Sequence, residues 1–116
     1  MSKEEREVIE KMQQIQEEFA QMNASLQVIN RFMGEGHWLS EDLFNKVAQM
    51  LLYSVKCKAN ELLIKLEVHR DQTSHVVDDV DDKIALLKIN EDLGRAVQVY
   101  YDRSKEFAEK LNKVTL

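Results

Sequence analysis

Val8, Met12, Ile15, Phe19, Met22, Leu26, Ile29 and Met33 recur at alternating intervals of four and three residues. That spacing is a heptad repeat and puts all of them on one face of a helix. Glu4, Glu5, Lys11, Gln13, Gln14, Glu17 and Glu18 fall between them and read as the solvated side. Ser2 and Glu5 have the spacing of a capping box at the helix start. A second apolar set, Ala24, Val28 and Phe32, is spaced by four but lies off the main seam. One narrow stripe cannot hold both sets. Either this helix meets two neighbours, or the second set faces something outside the chain.

Gly34-Glu35-Gly36 is the glycine cluster that ends helix one. His37, Trp38 and Leu39 follow, and then Ser40 with Glu41 and Asp42, the chemistry of an N-cap and an acidic first turn. Trp38 and Leu39 are placed to staple against Leu43 or Phe44. In helix two, Leu43, Phe44, Val47, Met50, Leu51, Val55, Ala59, Leu62, Leu63 and Leu66 form a stripe too wide for one seam. A central helix touching two others would look like this. Lys46, Lys56, Lys58 and Lys65 line its remaining surface.

The polar run from Arg70 to His75 reads as a break, with Asp71, Thr73 or Ser74 as cap of helix three. Asp78, Asp79, Asp81 and Asp82 then match the positive end of the next helix dipole. The helix-three seam falls into two runs. Val80, Ile84 and Leu87 make the first; Leu86, Asn90, Leu93, Val97, Tyr100, Ser104, Phe107, Leu111 and Val114 make the second. The phase changes between Leu86 and Asn90, and Gly94 is expected to permit a close helix–helix approach.

These patterns predict three helices over about residues 3–33, 41–69 and 76–113. Each would be about 45 Å long. The predicted fold is all-α: an antiparallel up-down-up three-helix bundle, residues 1–116 as one domain, with coiled-coil-like packing. The absence of proline and the presence of only three glycines agree with it.

The net charge of −5 argues against nucleic acid, which is held by neutralising phosphates, and against an anionic membrane surface. No apolar run approaches the roughly 20 residues that span a bilayer, so membrane insertion is not expected. The single cysteine, Cys57, cannot close an intramolecular disulfide, and the charged start MSKEEREV lacks a signal-peptide pattern. A cytosolic location is the expectation.

Candidate chemistry is sparse. His69 and His75 share a segment with Asp71, Asp78 and Asp79, and His37 lies in the first loop, but no metal-ligand spacing supports a site. The acidic run lacks the glycine and ligand spacing of a calcium loop. Cys57 lies between Lys56 and Lys58, yet adjacent helix residues point apart, so a buried or half-buried thiol is expected. No nucleophile elbow or phosphate-cradling loop is present, so neither an enzyme nor a cofactor is expected.

The run Ile84 to Tyr101, IALLKINEDLGRAVQVYY, resembles the third helix of GAT domains, the three-helix modules of GGA-type and related trafficking adaptors. Leu86-Leu87, Asn90-Glu91-Asp92-Leu93, Ala96-Val97 and Tyr100 carry the likeness. Asn23 to Met33 and Ser40 to Val47 are similar to stretches of that family's first two helices. The resemblance implies a module that binds ubiquitin weakly and takes amphipathic partner helices, recruited through its partners to endosomes or the Golgi. By that likeness the ubiquitin surface would be Val28, Phe32, Asp42, Leu43, Phe44 and Val47, a small apolar patch beside acids, burying less than about 1,200 Å². A second surface, for a partner helix in a groove between helices two and three, would include Lys58, Leu62, Val80 and Ile84. The chain departs from the pattern in its longer helix two, and family members usually follow another domain in a long adaptor. The alternative reading is a standalone assembly or secretion-chaperone-type protein. It would dimerise through a leftover apolar stripe, with the helix-one heptads partly in an intermolecular coiled coil.

Overall fold

A computed structural model of the chain describes residues 2–35 and 40–114, with side chains described throughout except at Asn30, residues 32–35, Phe107 and residues 110–114. Three helices account for nearly all of it: α1 (Lys3–Glu35), α2 (Glu41–Val76) and α3 (Val80–Val114). They pack as an antiparallel all-α bundle, a rod of 57 × 20 × 16 Å. The middle helix packs along both neighbours, whereas α1 and α3 meet each other more narrowly. Where they do meet, the Phe19 and Tyr100 rings lie 5.5 Å apart and the Tyr100 hydroxyl donates to Asn23 (2.8 Å).

The α1 heptad is the inner face of this rod. Val8, Met12, Ile15, Met22 and Ile29 are buried, with Phe19 and Leu26 half-buried. These residues pack within their own chain. The start of α1 is capped as its sequence suggests, the Ser2 hydroxyl accepting from the Glu5 amide (3.1 Å). Ser40 caps α2 in the same way through the Leu43 amide (3.3 Å). Trp38, Leu39 and His37 lie outside the described residues.

Helix α2 corrects the expected break after His69. It continues without interruption to Val76. The polar residues that suggested a loop turn their side chains back onto their own helix. Thr73 donates to the His69 carbonyl (2.8 Å), Ser74 donates to the Arg70 carbonyl (3.1 Å), and His75 Nδ1 lies 2.8 Å from the Asp71 carbonyl. With no glycine or proline in the segment, nothing ends the helix there. The chain turns at Val77, whose amide caps the Thr73 carbonyl (3.2 Å) and whose side chain is buried. Asp79, not Asp71, Thr73 or Ser74, caps α3, its carboxylate accepting from the Asp82 amide (2.9 Å).

In α3 the second of the two predicted runs faces the core. Asn90, Val97 and Ser104 are buried, and Leu93 and Tyr100 half-buried. Val80 and Ile84, from the first run, are exposed instead. Gly94 does not mark a close approach either, since a Cβ built there would meet nothing within 4 Å.

Candidate functional site

Two features of the bundle stand apart from ordinary packing: a polar junction inside it and an apolar stripe outside it.

The inner feature is centred on His69, which a heptad-like seam on α2 carries into the core. That seam runs Asn45, Ala48, Leu52, Val55, Ala59, Leu62, Leu66, His69 and Thr73, all buried. The His69 ring joins all three helices. Its Nε2 lies 2.9 Å from the Val8 carbonyl of α1. A carbonyl only accepts, so Nε2 carries the proton and Nδ1 is left as an acceptor. The Asn90 amide of α3 faces Nδ1 at 3.3 Å, while also donating to the Leu66 carbonyl (2.8 Å). Among the described residues no buried side-chain nitrogen or oxygen lacks a partner. Burial pushes the His69 imidazole below its ordinary value of 6.5, against the opposing hydrogen bond to Val8 and with a further push from Lys11. A second proton on Nδ1 would point at the Asn90 amide hydrogens. The neutral ring is the one this junction fits.

His75 is not part of the junction; it is exposed beside Asp71. Among the described residues there is no group of three or more His, Cys, Asp or Glu placed to hold a metal. His37 lies outside them.

The outer feature is the exposed side of α2, which borders α3 residues Ser104 and Ala108 at Met50 and the α1 groove at Ile64 and Val68. Leu43, Val47, Met50, Ser54, Cys57, Glu61, Ile64 and Val68 follow one another at intervals of four and three. Met50 is 64% exposed, Ile64 56% and Val68 52%, with Leu43 also exposed and Val47 half-buried. Met50 was expected in the general apolar stripe; Ile64 and Val68 were missed. Reading α2 as two heptad seams on opposite sides, rather than one wide stripe, would have found them. Cys57 is exposed here, correcting the expected buried or half-buried thiol. The neighbouring Tyr53 hydroxyl is raised above its ordinary value, chiefly by a hydrogen bond with that thiol.

Charges border this stripe toward α1. Lys65 donates to both Glu18 oxygens (2.9 and 3.0 Å), and Lys58 approaches the same carboxylate (3.3 Å). The Lys65–Glu18 hydrogen bond is the main cause of the lowered Glu18 pKa, and a separate contact of Lys65 with Glu61 (3.1 Å) lowers Glu61. Beside them lies a groove of about 270 Å³ floored by Ile15 and His69 and walled by Ile64, Val68 and Gln72. It is open and smaller than the usual small-molecule pocket.

The residues expected for a ubiquitin surface are only partly together. Leu43 and Asp42 are exposed, and Phe44 and Val47 half-buried, on the first turns of α2. Asp42 pairs with Lys46 (3.0 Å). Val28 is exposed but sits on the back of α1, roughly 150° round that helix from its seam. Phe32 lies outside the described side chains. The second expected surface is dispersed. Lys58 turns to Glu18 on the α1 side, and Leu62 is fully buried. The Asn90–Leu66 bond sets the α2–α3 register. By that register Val80 lies roughly 27 Å along the rod from Lys58.

Comparisons with protein-family models, with curated proteins and with solved structures returned no match for the chain.

Proposed function

We propose that the chain is a non-catalytic protein-interaction module whose docking face is the outer side of α2. The observation that supports this is a pair of apolar clusters on one heptad line, Leu43 and Met50 with half-buried Val47, and Ile64 with Val68, separated by Ser54, Cys57 and Glu61. Single exposed apolar residues are ordinary on a protein surface; apolar clusters aligned on one helix face are the form in which a partner helix or a small apolar surface is met. The buried polar junction, with its hydrogen bonds made inside the bundle, serves the fold.

At the α2 N-terminus the reading extends to ubiquitin. Leu43 and Val47, beside Asp42, offer a small apolar patch with an acidic edge, suited to an apolar surface with basic margins. The role would be that of a trafficking-adaptor module, recruited to endosomal or Golgi membranes through its partners. Among the described residues, no helix is long and apolar enough to cross a membrane itself. Val28, on the back of α1, falls outside this patch. Titration of isotope-labelled protein with ubiquitin tests the reading by NMR. The amides of Leu43 and Val47 are expected to move at millimolar ubiquitin while those of Val80 and Ile84 stay still. A spectrum unchanged around Leu43 and Val47 removes ubiquitin as the partner.

A further inference from the structure

The outer face of α2 is longer than a ubiquitin-sized patch requires. From Leu43 to Val68 it extends roughly 38 Å. We infer that its occupant is a second copy of the same helix, packed antiparallel about a twofold axis between Ser54 and Cys57. This rests on the reading of the outer face as a docking surface, and it names the partner.

Three observations select this occupant and its orientation. First, the stripe is self-complementary when reversed. An antiparallel twofold sets Leu43 against the partner copy's Val68, Val47 against Ile64, and Ser54 against Cys57. Apolar side chains meet apolar ones in the four outer layers, the two small polar side chains meet at the centre, and the layers between set Glu61 against Met50. A parallel pairing would instead stack Glu61 on its own copy, two like charges in one layer. In the antiparallel pairing Glu61 meets Met50 and keeps its own-chain partner Lys65 (3.1 Å).

Second, the flanking charges agree. Along the edge nearer α3, Lys46 of one copy comes opposite Glu67 of the other, twice by symmetry, and Tyr53 opposite Asn60. Among the described residues the ion-pair partner of Lys46 is the exposed Asp42 one turn away, and an exposed lysine can serve a second carboxylate.

Third, the area sets the strength. A strip of this length and one helix wide covers roughly 400 Å² per copy, about 800 Å² in all, below the roughly 1,000 Å² of a stable interface. The dimer is therefore weak and reversible rather than obligate. The exposed residues are then uncovered in the monomer and covered as concentration rises.

Sedimentation of the full chain up to about 200 µM, without ubiquitin, is the first test. The expected result is a reversible monomer–dimer equilibrium. Met50→Glu and Ile64→Glu, both at exposed positions, should each weaken it by about tenfold or more with unchanged helicity by circular dichroism. Lys46→Glu should weaken it about threefold to tenfold, and adding Glu67→Lys should restore it. Orientation is read in a Cys57→Ser background by mixing Leu43→Cys and Val68→Cys proteins with a short bismaleimide. An antiparallel dimer gives the mixed crosslink; like-with-like products mean a parallel one and overturn the proposal. It is also overturned by a monomer at the highest concentration, or by a dimer indifferent to Met50→Glu and Ile64→Glu. If the chain is monomeric but ubiquitin moves Leu43 and Val47, only the dimer fails. If it is monomeric and ubiquitin moves nothing, the docking reading fails with it.

Discussion

The two sides of α2 carry nearly the same pattern and have opposite fates. The inner side reads Asn45, Ala48, Leu52, Val55, Ala59, Leu62, Leu66, His69 and Thr73, at intervals of three and four. The outer side reads Leu43, Val47, Met50, Ser54, Cys57, Glu61, Ile64 and Val68, at the same intervals. The inner seam includes three polar residues and two alanines, yet it is the buried one. Apolar content alone therefore does not choose the core face. Small side chains let two neighbouring helices approach at once, and His69 and Thr73 have hydrogen-bond partners supplied by another helix or by their own turn.

The contrast breaks most sharply at two positions of one turn. Leu62 is fully buried, and Leu62→Ala should destabilise the bundle by about 2–5 kcal/mol. Ile64, two residues on, is on the outer face, and Ile64→Ala should change monomer stability by about 0.5 kcal/mol or less. Chemical denaturation of dilute protein measures both. Equal losses would mean that the outer face is already covered in the monomer.

The polar junction gives the next effect. Asn90→Ala strips the hydrogen bond facing His69 Nδ1 and should cost about 1–3 kcal/mol. The same junction sets a pH dependence. The folded-state pKa of His69 lies below its ordinary 6.5, so the unfolded chain takes up the proton first. Its contribution is complete above about 6.5 and is lost as pH falls from there toward the lower folded value. Glu18, held below its ordinary 4.5 mainly by Lys65, loses its contribution in a separate window below 4.5. Denaturation between neutral pH and pH 5 should show the first loss in the native chain, and His69→Gln should flatten it. A native stability that rises on acidification through this range contradicts the assigned neutral ring.

Gly94→Ala is the smallest change. The new methyl meets nothing within 4 Å, and no glycine among the described residues has positive φ. Stabilisation by about 0.5–1 kcal/mol is expected in a thermal melt, from helix propensity and reduced unfolded-state freedom. Destabilisation would restore the close approach that the sequence suggested.

How far these features were legible depends on the kind of signal. The α1 heptad was unambiguous because its intervening residues are strongly polar. The run after His69 was misread because Thr73, Ser74 and His75 look like loop chemistry, while their hydrogen bonds to their own helix are not visible in composition. The outer α2 stripe was merged into the core stripe because both have the same period. Only their opposite phase separates them. Of the expected ubiquitin residues, the α2 cluster stays together through simple helical adjacency. Val28 departs from it because its direction depends on how α1 is rotated against α2.

By itself the amino-acid sequence determined three helices, their caps at Ser2 and Ser40, and the inward face of α1. These follow from local spacing, capping chemistry and the absence of proline, all of which act within a few turns. Only the tertiary structure decided which of two equivalent seams on α2 became the core. It also decided that His69 sits at the meeting point of three helices and that Cys57, Met50 and Ile64 face outward. Those outcomes depend on two other helices competing for the same cylinder, and period and composition cannot break a tie between opposite sides of one helix.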